Sequence, residues 1–354
     1  MLLNIQALRA VAALMVVLHH LAGSLARFGV PEKLLFSGAS GVDIFFVISG
    51  FVMVHSTAHR PPTPMGFFTN RIVRVAPLYW LITIALASAV VVLPNMFRSV
   101  NVTPAGWLKS LAFIPYVNGD LGMTPILHVG WTLNYEMFFY AIFAVALALG
   151  GNNSKRIAGI ACGALIALVA LGAVFRPENA IAGFYTDPIL IEFGSGMLLA
   201  VLHKHLRNVG IATASVALVA AAAALAMKQY FVPDLHRVIG WGGGPAGLIV
   251  AVALVFEARG MVARWGAVQL LGAASYALYL IHPLVLAAGT RLTAGLASPS
   301  LAALVTSAIL VGVIVAAVVV HKLIEVPITR FLRRLFDRRR LAGSGSRTAD
   351  IPGV

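Results

Sequence analysis

The first apolar run, Leu2 to Leu21, carries a guanidinium and an imidazole, and that pairing restricts what the chain can become. On a helix, Arg9 and His20 stand about 16 Å apart along the axis. Eleven steps of roughly 100° also bring both side chains to the same face. Ala13 and Val16 lie on the stripe between them and are small. An arginine at the centre of a membrane helix costs roughly 2.5 kcal/mol or more, so it faces a partner, a cavity or an interface. From this helix alone two outcomes stand open: an arginine snorkelling to the surface beside a packed histidine, or one internal site holding both.

The rest of the chain extends the same apolar character. Of 354 residues, 60% are hydrophobic and 11% charged, with a mean hydropathy of +0.92. That balance excludes a soluble domain of this size and predicts an all-α, polytopic transmembrane helix bundle. Runs near the required length of about 20 residues fall at 3–22, 36–56, 76–94, 131–150, 157–175, 186–203, 209–228, 240–256, 267–289 and 301–321. The segment 106–118 is too short and contains Pro115, so it suits an interfacial or re-entrant helix. No cleavable leader is expected, because the first run lacks a basic flank and contains Arg9.

Ten spans put both termini on one side. Seventeen Lys and Arg then fall in the connections and tail on the amino-terminal side, against eight on the other. The positive-inside rule places both ends in the cytoplasm. The net charge of +14 is mostly this asymmetry, which argues for anionic lipid and against nucleic acid as a partner. Lone Cys162 allows no intrachain disulfide. No HExxH-type or paired-cysteine motif suggests a metal.

Several further polar groups fall inside or beside the spans. Asp43 opens the second and Glu136 enters the fourth, both at about the depth His20 reaches. Each needs a partner or a proton; helix-dipole stabilisation is the plain reading for Asp43, and an ion pair for Glu136. Ser49 and Gly50 suit close helix packing. Arg71 and Arg74, three apart in the first inner loop with Tyr79 and Trp80 following, share a helix face. They could clamp phosphate oxygens or simply meet lipid headgroups. Trp131 and Tyr135 fit an aromatic belt. The ninth span carries Tyr276, Tyr279, His282 and Pro283, and Glu325 follows the tenth, where it could pair with a basic residue. Glu192 receives no role. Gly240–Pro245 reads as a turn, residues 330–340 as a basic stretch on anionic lipid, and 343–354 as disordered.

Taken in order, these motifs resemble the integral-membrane acyltransferase-3 family. They are Arg9 with His20, the run Gly41 to Phe51, Arg71-Ile-Val-Arg74 with Pro77, Tyr79 and Trp80, and Trp131 to Glu136 with Phe139 and Tyr140. Ser275-Tyr276 with Tyr279 and His282, and Glu325-Val-Pro327, complete the set. The likeness covers residues 3–333 and is nearest to the branch that acylates exopolysaccharides. Asn134 departs from it, since the family more often has Ser there.

The resemblance implies a transmembrane acyltransferase domain over 1–333 and a basic, then disordered, cytoplasmic tail over 334–354. It implies transfer of an acyl group, usually acetyl, from cytoplasmic acetyl-CoA or another acyl-CoA to a sugar hydroxyl. The acceptor would be an exopolysaccharide, another surface glycan or a lipid-linked oligosaccharide, and polysaccharide-assembly proteins could be further partners. The location implied is the bacterial cytoplasmic (inner) membrane. His20 would be the catalytic histidine and Arg9 its companion, with Asp43 and Glu136 in the catalytic set. Arg71, Arg74 and Tyr79 would bind the donor, and Trp131, Tyr276 and His282 the acceptor. No metal is implied.

The chemistry of the residues is compatible with that expectation. A buried, neutral histidine can take a proton from a sugar hydroxyl, with Asp43 or Glu136 as candidates to fix its tautomer. A donor pocket would hold its phosphates on Arg71 and Arg74 and carry its thioester past Arg9 to His20. The rival from the residues alone is a proton-coupled exporter using the same buried charges as a relay.

Overall fold

The computed structural model describes residues 2–26, 37–58, 61–92, 102–231, 243–293 and 299–345. In chain order the helices are α1 (Leu3–His20), α2 (Ala22–Ala26), α3 (Gly41–Thr57), α4 (Pro64–Val92), α5 (Pro104–Leu111), α6 (Trp131–Gly150), α7 (Ser154–Phe175) and α8 (Ala180–Tyr185). They continue as α9 (Leu190–Leu206), α10 (Ile211–Phe231), α11 (Gly243–Ala258), α12 (Gly266–Ala273), α13 (Ser275–Thr293), α14 (Pro299–Val320) and α15 (Val326–Gly345). Among the described residues there is no strand. The chain is an all-α polytopic bundle.

Seven helical stretches are long and apolar enough to cross a membrane, and α12 with α13 forms an eighth, broken by 73°. Two shorter apolar helices, Ile211–Met227 and Gly243–Ala258, coincide with the remaining expected runs. Their outward side chains, among them Val91, Val174, Phe175, Val216 and Val219, are exposed and apolar, as a lipid-facing surface requires.

Contacts between helices show the alternation of direction. The start of α1 is held by Glu257 at the end of α11, whose carboxylate oxygens accept from the backbone N–H groups of Leu3 (2.8 Å) and Asn4 (2.6 Å). A carboxylate there also offsets the positive end of the helix dipole. Gln269 at the start of α12 donates to the Leu3 carbonyl (2.9 Å). At the far end of α1, His20 meets His282 of α13. Helices α1 and α13 are therefore parallel, and the bundle has an amino-terminal end and a histidine end.

Glycines set the closest approaches. A β-carbon on Gly50 of α3 would lie 2.0 Å from the Phe193 carbonyl oxygen of α9, and one on Gly196 would lie 1.9 Å from that of Val47. Small residues thus let two backbones touch, which drives helix association where water cannot. Gly41 plays the same part against the Ala12 carbonyl of α1.

The structure revises several local expectations. Arg71 and Arg74 lie within the first turns of α4, which begins at Pro64 and not in a loop. The ninth run breaks at Ala274. The chain passes from α14 through a π-helical turn, His321–Glu325, into α15 without a break at residue 333. Residues 343–345 belong to α15, while 346–354 lie outside the described residues. Gly243 to Pro245 form the first turn of α11, and 240–242 lie outside the described residues. Glu192 packs over that turn: its Cγ would lie 2.9 Å from a β-carbon on Gly243.

Replacing Gly196 with Ala should destabilise the bundle by about 1–3 kcal/mol through overpacking. Gly163→Ala, where an added carbon meets nothing within 4 Å, should not. Unfolding temperatures in detergent compare the two; equal values would mean the α3–α9 contact is not limiting.

Candidate active site

Three arginines and one glutamate of the bundle line a single cavity of about 920 Å³, counted out to its mouth. Helix α1 contributes Arg9, α4 contributes Arg71 and Arg74, α6 contributes Glu136 and Tyr140, and α13 contributes Tyr276 and Tyr279. The wall between is apolar and aromatic, with Val42, Phe45, Phe46 and Val52 of α3.

Each charge is held differently. Arg74 Nη1 donates to Glu325 Oε1 at 2.6 Å, and the other Glu325 oxygen lies 2.8 Å from His321 Nδ1 across the π-helical turn. Glu325 is almost fully buried, so this pair clamps the end of α14 against α4. Arg71 instead lies over the rings of Phe67 (5.4 Å) and Tyr140 (5.9 Å), a cation–π arrangement. Its buried Nε has no hydrogen-bond acceptor. Glu136 accepts from Ser49 Oγ (3.3 Å) and, through a short bond, from Tyr140. Among the described residues Arg9 forms no hydrogen bond or ion pair and turns to the cavity. With Arg74 balanced by Glu325, Arg9 and Arg71 stand against Glu136, and the cavity is electropositive.

The histidines lie beyond its far wall. His20 Nδ1 is 3.0 Å from the Val16 carbonyl oxygen, one turn back. A carbonyl only accepts, so Nδ1 carries a proton. His282 repeats the arrangement with Leu278 (3.2 Å), and its Nε2 lies 3.4 Å from His20 Nδ1. The two imidazoles therefore meet with a proton on each Nδ1, and His19 packs edge-on against His20. His20 is exposed at the histidine end, and His282 is fully buried.

Several expected site residues are elsewhere. Neither Asp43 nor Glu136 fixes the His20 tautomer; the Val16 carbonyl does. Asp43 is buried in the first turn of α3, outside the cavity lining. Tyr79 is wholly buried, and its hydroxyl donates to the Ser110 carbonyl (3.1 Å), tying α4 to the last turn of α5. Trp131 packs edge-on against Tyr135, not against the cavity. Tyr276 does line the cavity and donates to the Val75 carbonyl (2.6 Å). His20 does not line it: Tyr279 intervenes, its ring centroid 5.9 Å from that of His282. Tyr279 is itself pinned, accepting from Thr132 Oγ1 (2.9 Å) and donating to the Val129 carbonyl (3.0 Å).

Tyr140, Tyr279 and the hydroxyl role of Ser49 were not anticipated as site features. Tyr140 stands four residues after Glu136, on the same helix face, and that spacing was the available signal. Asn134, where the sequence departs from the resemblance, is buried with neither amide atom hydrogen-bonded.

A family profile described as an acyltransferase domain, that of the acyltransferase-3 family, matches residues 2–322. The chain belongs to the acyltransferase-3 family. It is 33% identical over 316 residues to an exopolysaccharide production protein, ExoZ, of Rhizobium meliloti strain 1021, covering 88% of this chain and 95% of that one. It is 29% identical over 306 residues to a putative membrane-bound transacylase, BcsY, of Komagataeibacter xylinus, covering 79% and 71%. It is 25% identical over 333 residues to an acyltransferase, MdmB, of Streptomyces mycarofaciens, covering 84% and 82%. No solved structure gives a significant match. Membership makes the chain an acyltransferase and a multi-pass membrane protein. The proton-coupled exporter is thereby set aside.

For this acyltransferase-3 chain the Arg74–Glu325 pair makes a direct prediction. Glu325→Ala should destabilise strongly by leaving a guanidinium uncompensated, and adding Arg74→Ala should recover part of the loss. Thermal unfolding of both single variants and the double variant measures the coupling, expected at about 1–3 kcal/mol. Additive losses would mean the pair contributes nothing jointly.

Proposed function

We propose that this acyltransferase moves an acyl group, acetyl in the first instance, from acyl-CoA to a sugar hydroxyl of an exopolysaccharide or its lipid-linked precursor. The observation that carries the reading is the arginine-lined cavity that reaches Tyr279, beside a histidine pair whose Nδ1 atoms are held by backbone carbonyls; His20 Nε2 is the base on this reading. The relatives support the acceptor class, since one is named for exopolysaccharide production. The excess of Lys and Arg on the amino-terminal side supports a bacterial cytoplasmic membrane location with both termini inside. On that reading α15 lies on anionic lipid, and polysaccharide-assembly proteins are partners at the opposite face.

The residues fit an acyl-CoA donor on two counts. Arg71 has a buried N–H without an acceptor, and Arg9 forms no hydrogen bond or ion pair among the described residues, so both can meet phosphate oxygens. The apolar wall from Val52 to Phe45 suits a thin pantetheine arm. Arg9 and Arg71 are the phosphate-side ligands, with Arg74 a positioning residue held by Glu325. Glu136 balances the arginines and, with Tyr140 and Tyr276, shapes the throat.

At the far end His20 Nε2 takes the proton of the sugar hydroxyl as its oxygen bonds to the thioester carbonyl carbon. The carbon–sulfur bond then breaks, and the imidazolium returns the proton to the departing thiolate. The charge that His20 carries in between is stabilised by the Val16 carbonyl and by the His282 Nε2 lone pair. Tyr279 must yield for the thioester to reach this point. The active domain spans 1–333, and the remaining tail has no part in the chemistry.

Purified protein should bind acetyl-CoA in calorimetry, and Arg71→Ala should weaken that binding by about tenfold to a hundredfold, the loss of a charge-assisted contact. His20→Ala should leave binding intact while lowering acyl transfer to glycan by roughly 10²–10⁴-fold. Normal turnover by His20→Ala would remove it as the base, and no acetyl-CoA binding by the wild type would remove the donor.

A further inference from the structure

A second cleft opens at the histidine end, away from the charged cavity. It holds about 780 Å³ counted out to its mouth. Thr103 and Lys109 of the α5 segment, Tyr116 and Asn118 of the segment that follows, and Asn179 at the start of α8 line it.

Its polar groups are mostly donors. Asn118 is 4% exposed, and its side-chain amide nitrogen has no hydrogen-bond partner. A buried amide without a partner forgoes about 1–3 kcal/mol, so a ligand atom there would be rewarded. Asn179 Oδ1 accepts from the backbone N–H groups of Ile181 (2.9 Å) and Ala182 (3.2 Å), which leaves its amide nitrogen to donate outward. Lys109 is exposed, lies over the Tyr116 ring at 5.8 Å and has no carboxylate partner among the described residues. Three nitrogen donors around an aromatic ring suit an oxygen-rich ligand that carries negative charge.

The cleft is also built into the segment that leads to the histidines. Tyr116 OH lies 3.1 Å from Ser110 Oγ, and that same hydroxyl oxygen accepts from the Ile126 backbone N–H at 3.1 Å. Two residues beyond Ile126 comes His128, and then Val129, whose carbonyl holds Tyr279. The cleft wall and the wall beside His282 are thus consecutive parts of one hydrogen-bonded stretch.

From these observations we infer that the cleft between the α5 segment and α8 is a docking subsite for an acidic sugar residue of the acceptor glycan other than the residue that is acylated. Asn118 and Asn179 donate to ring hydroxyls, and Lys109 meets the carboxylate. The inference rests on the proposed glycan acceptor and adds where a long acceptor is held. A polymer or long oligosaccharide engages both places, and a short fragment engages only the histidine end.

The test uses the full-length protein in nanodiscs and oligosaccharides released from the host's own exopolysaccharide, sorted by length, with a carboxyl-reduced set as control. Asn118→Leu and Lys109→Met should each raise KM for long oligosaccharides about tenfold and leave kcat and acetyl-CoA binding within twofold. KM for the shortest accepted fragment should not move, and the carboxyl-reduced set should resemble the Lys109→Met result. Because Lys109 is exposed, its variant remains informative if Asn118→Leu fails to fold. Glycan binding without donor, by saturation-transfer NMR, separates the two readings. Binding lost in the variants, with no acyl transfer in the wild type, would support the subsite and overturn the proposed reaction. Normal transfer with unchanged KM and unchanged binding in both variants would overturn the subsite alone.

Discussion

A guanidinium inside an apolar bundle must be given a partner or a cavity, and three of them near one end of this bundle receive both. Arg74 takes Glu325, Arg71 takes two aromatic rings, and Arg9 takes open space. These solutions require four helices, α1, α4, α6 and α13, to stand apart around a void while the rest of the bundle closes tightly. The glycine contacts of α3 with α9 and of α1 with α3 supply that tightness. Dense packing on one side and a charged void on the other are parts of one arrangement, because a bundle packed closely throughout would strand its arginines.

The histidine pair follows a different logic from the arginines. A carboxylate beside an imidazole favours its charged form, whereas a backbone carbonyl fixes the tautomer with less bias toward charge. His20 and His282 both use carbonyls one turn back in their own helices. Each ring thus carries a proton on Nδ1 and turns Nε2 away from its own helix backbone. The carbonyl bonds also explain why Asp43 and Glu136, at matching depth in the sequence, are not needed beside the ring.

The apolar runs made the span positions legible, because each lipid-exposed helix must be apolar over its own length and that is a local property. What could not be read were contacts that join distant segments. Arg74 and Glu325 are 251 residues apart, and only the fold decides that the second arginine of the pair is already engaged. Tyr79 looked like a donor ligand from its place after the arginines, but Pro77 and the course of α4 carry it to Ser110 instead. The break at Ala274 and the π-helical turn at His321–Glu325 depend on tertiary packing too. Gly272 is one visible cause, since its β-carbon position falls 2.0 Å from the Gln6 carbonyl oxygen.

The least expected feature is the wall between the charged cavity and His20. One tyrosine side chain, held by Thr132 and the Val129 carbonyl, closes the cavity where the sequence suggested a continuous passage. Tyr279 lines the cavity on one side and stands beside His282 on the other, with ring centroids 5.9 Å apart. Because the residues on either side of Val129 also carry His128 and lead back to Tyr116, the wall is mechanically joined to the surface of the histidine end. One hydrogen-bonded segment therefore gives a change at that surface a short physical route to Tyr279.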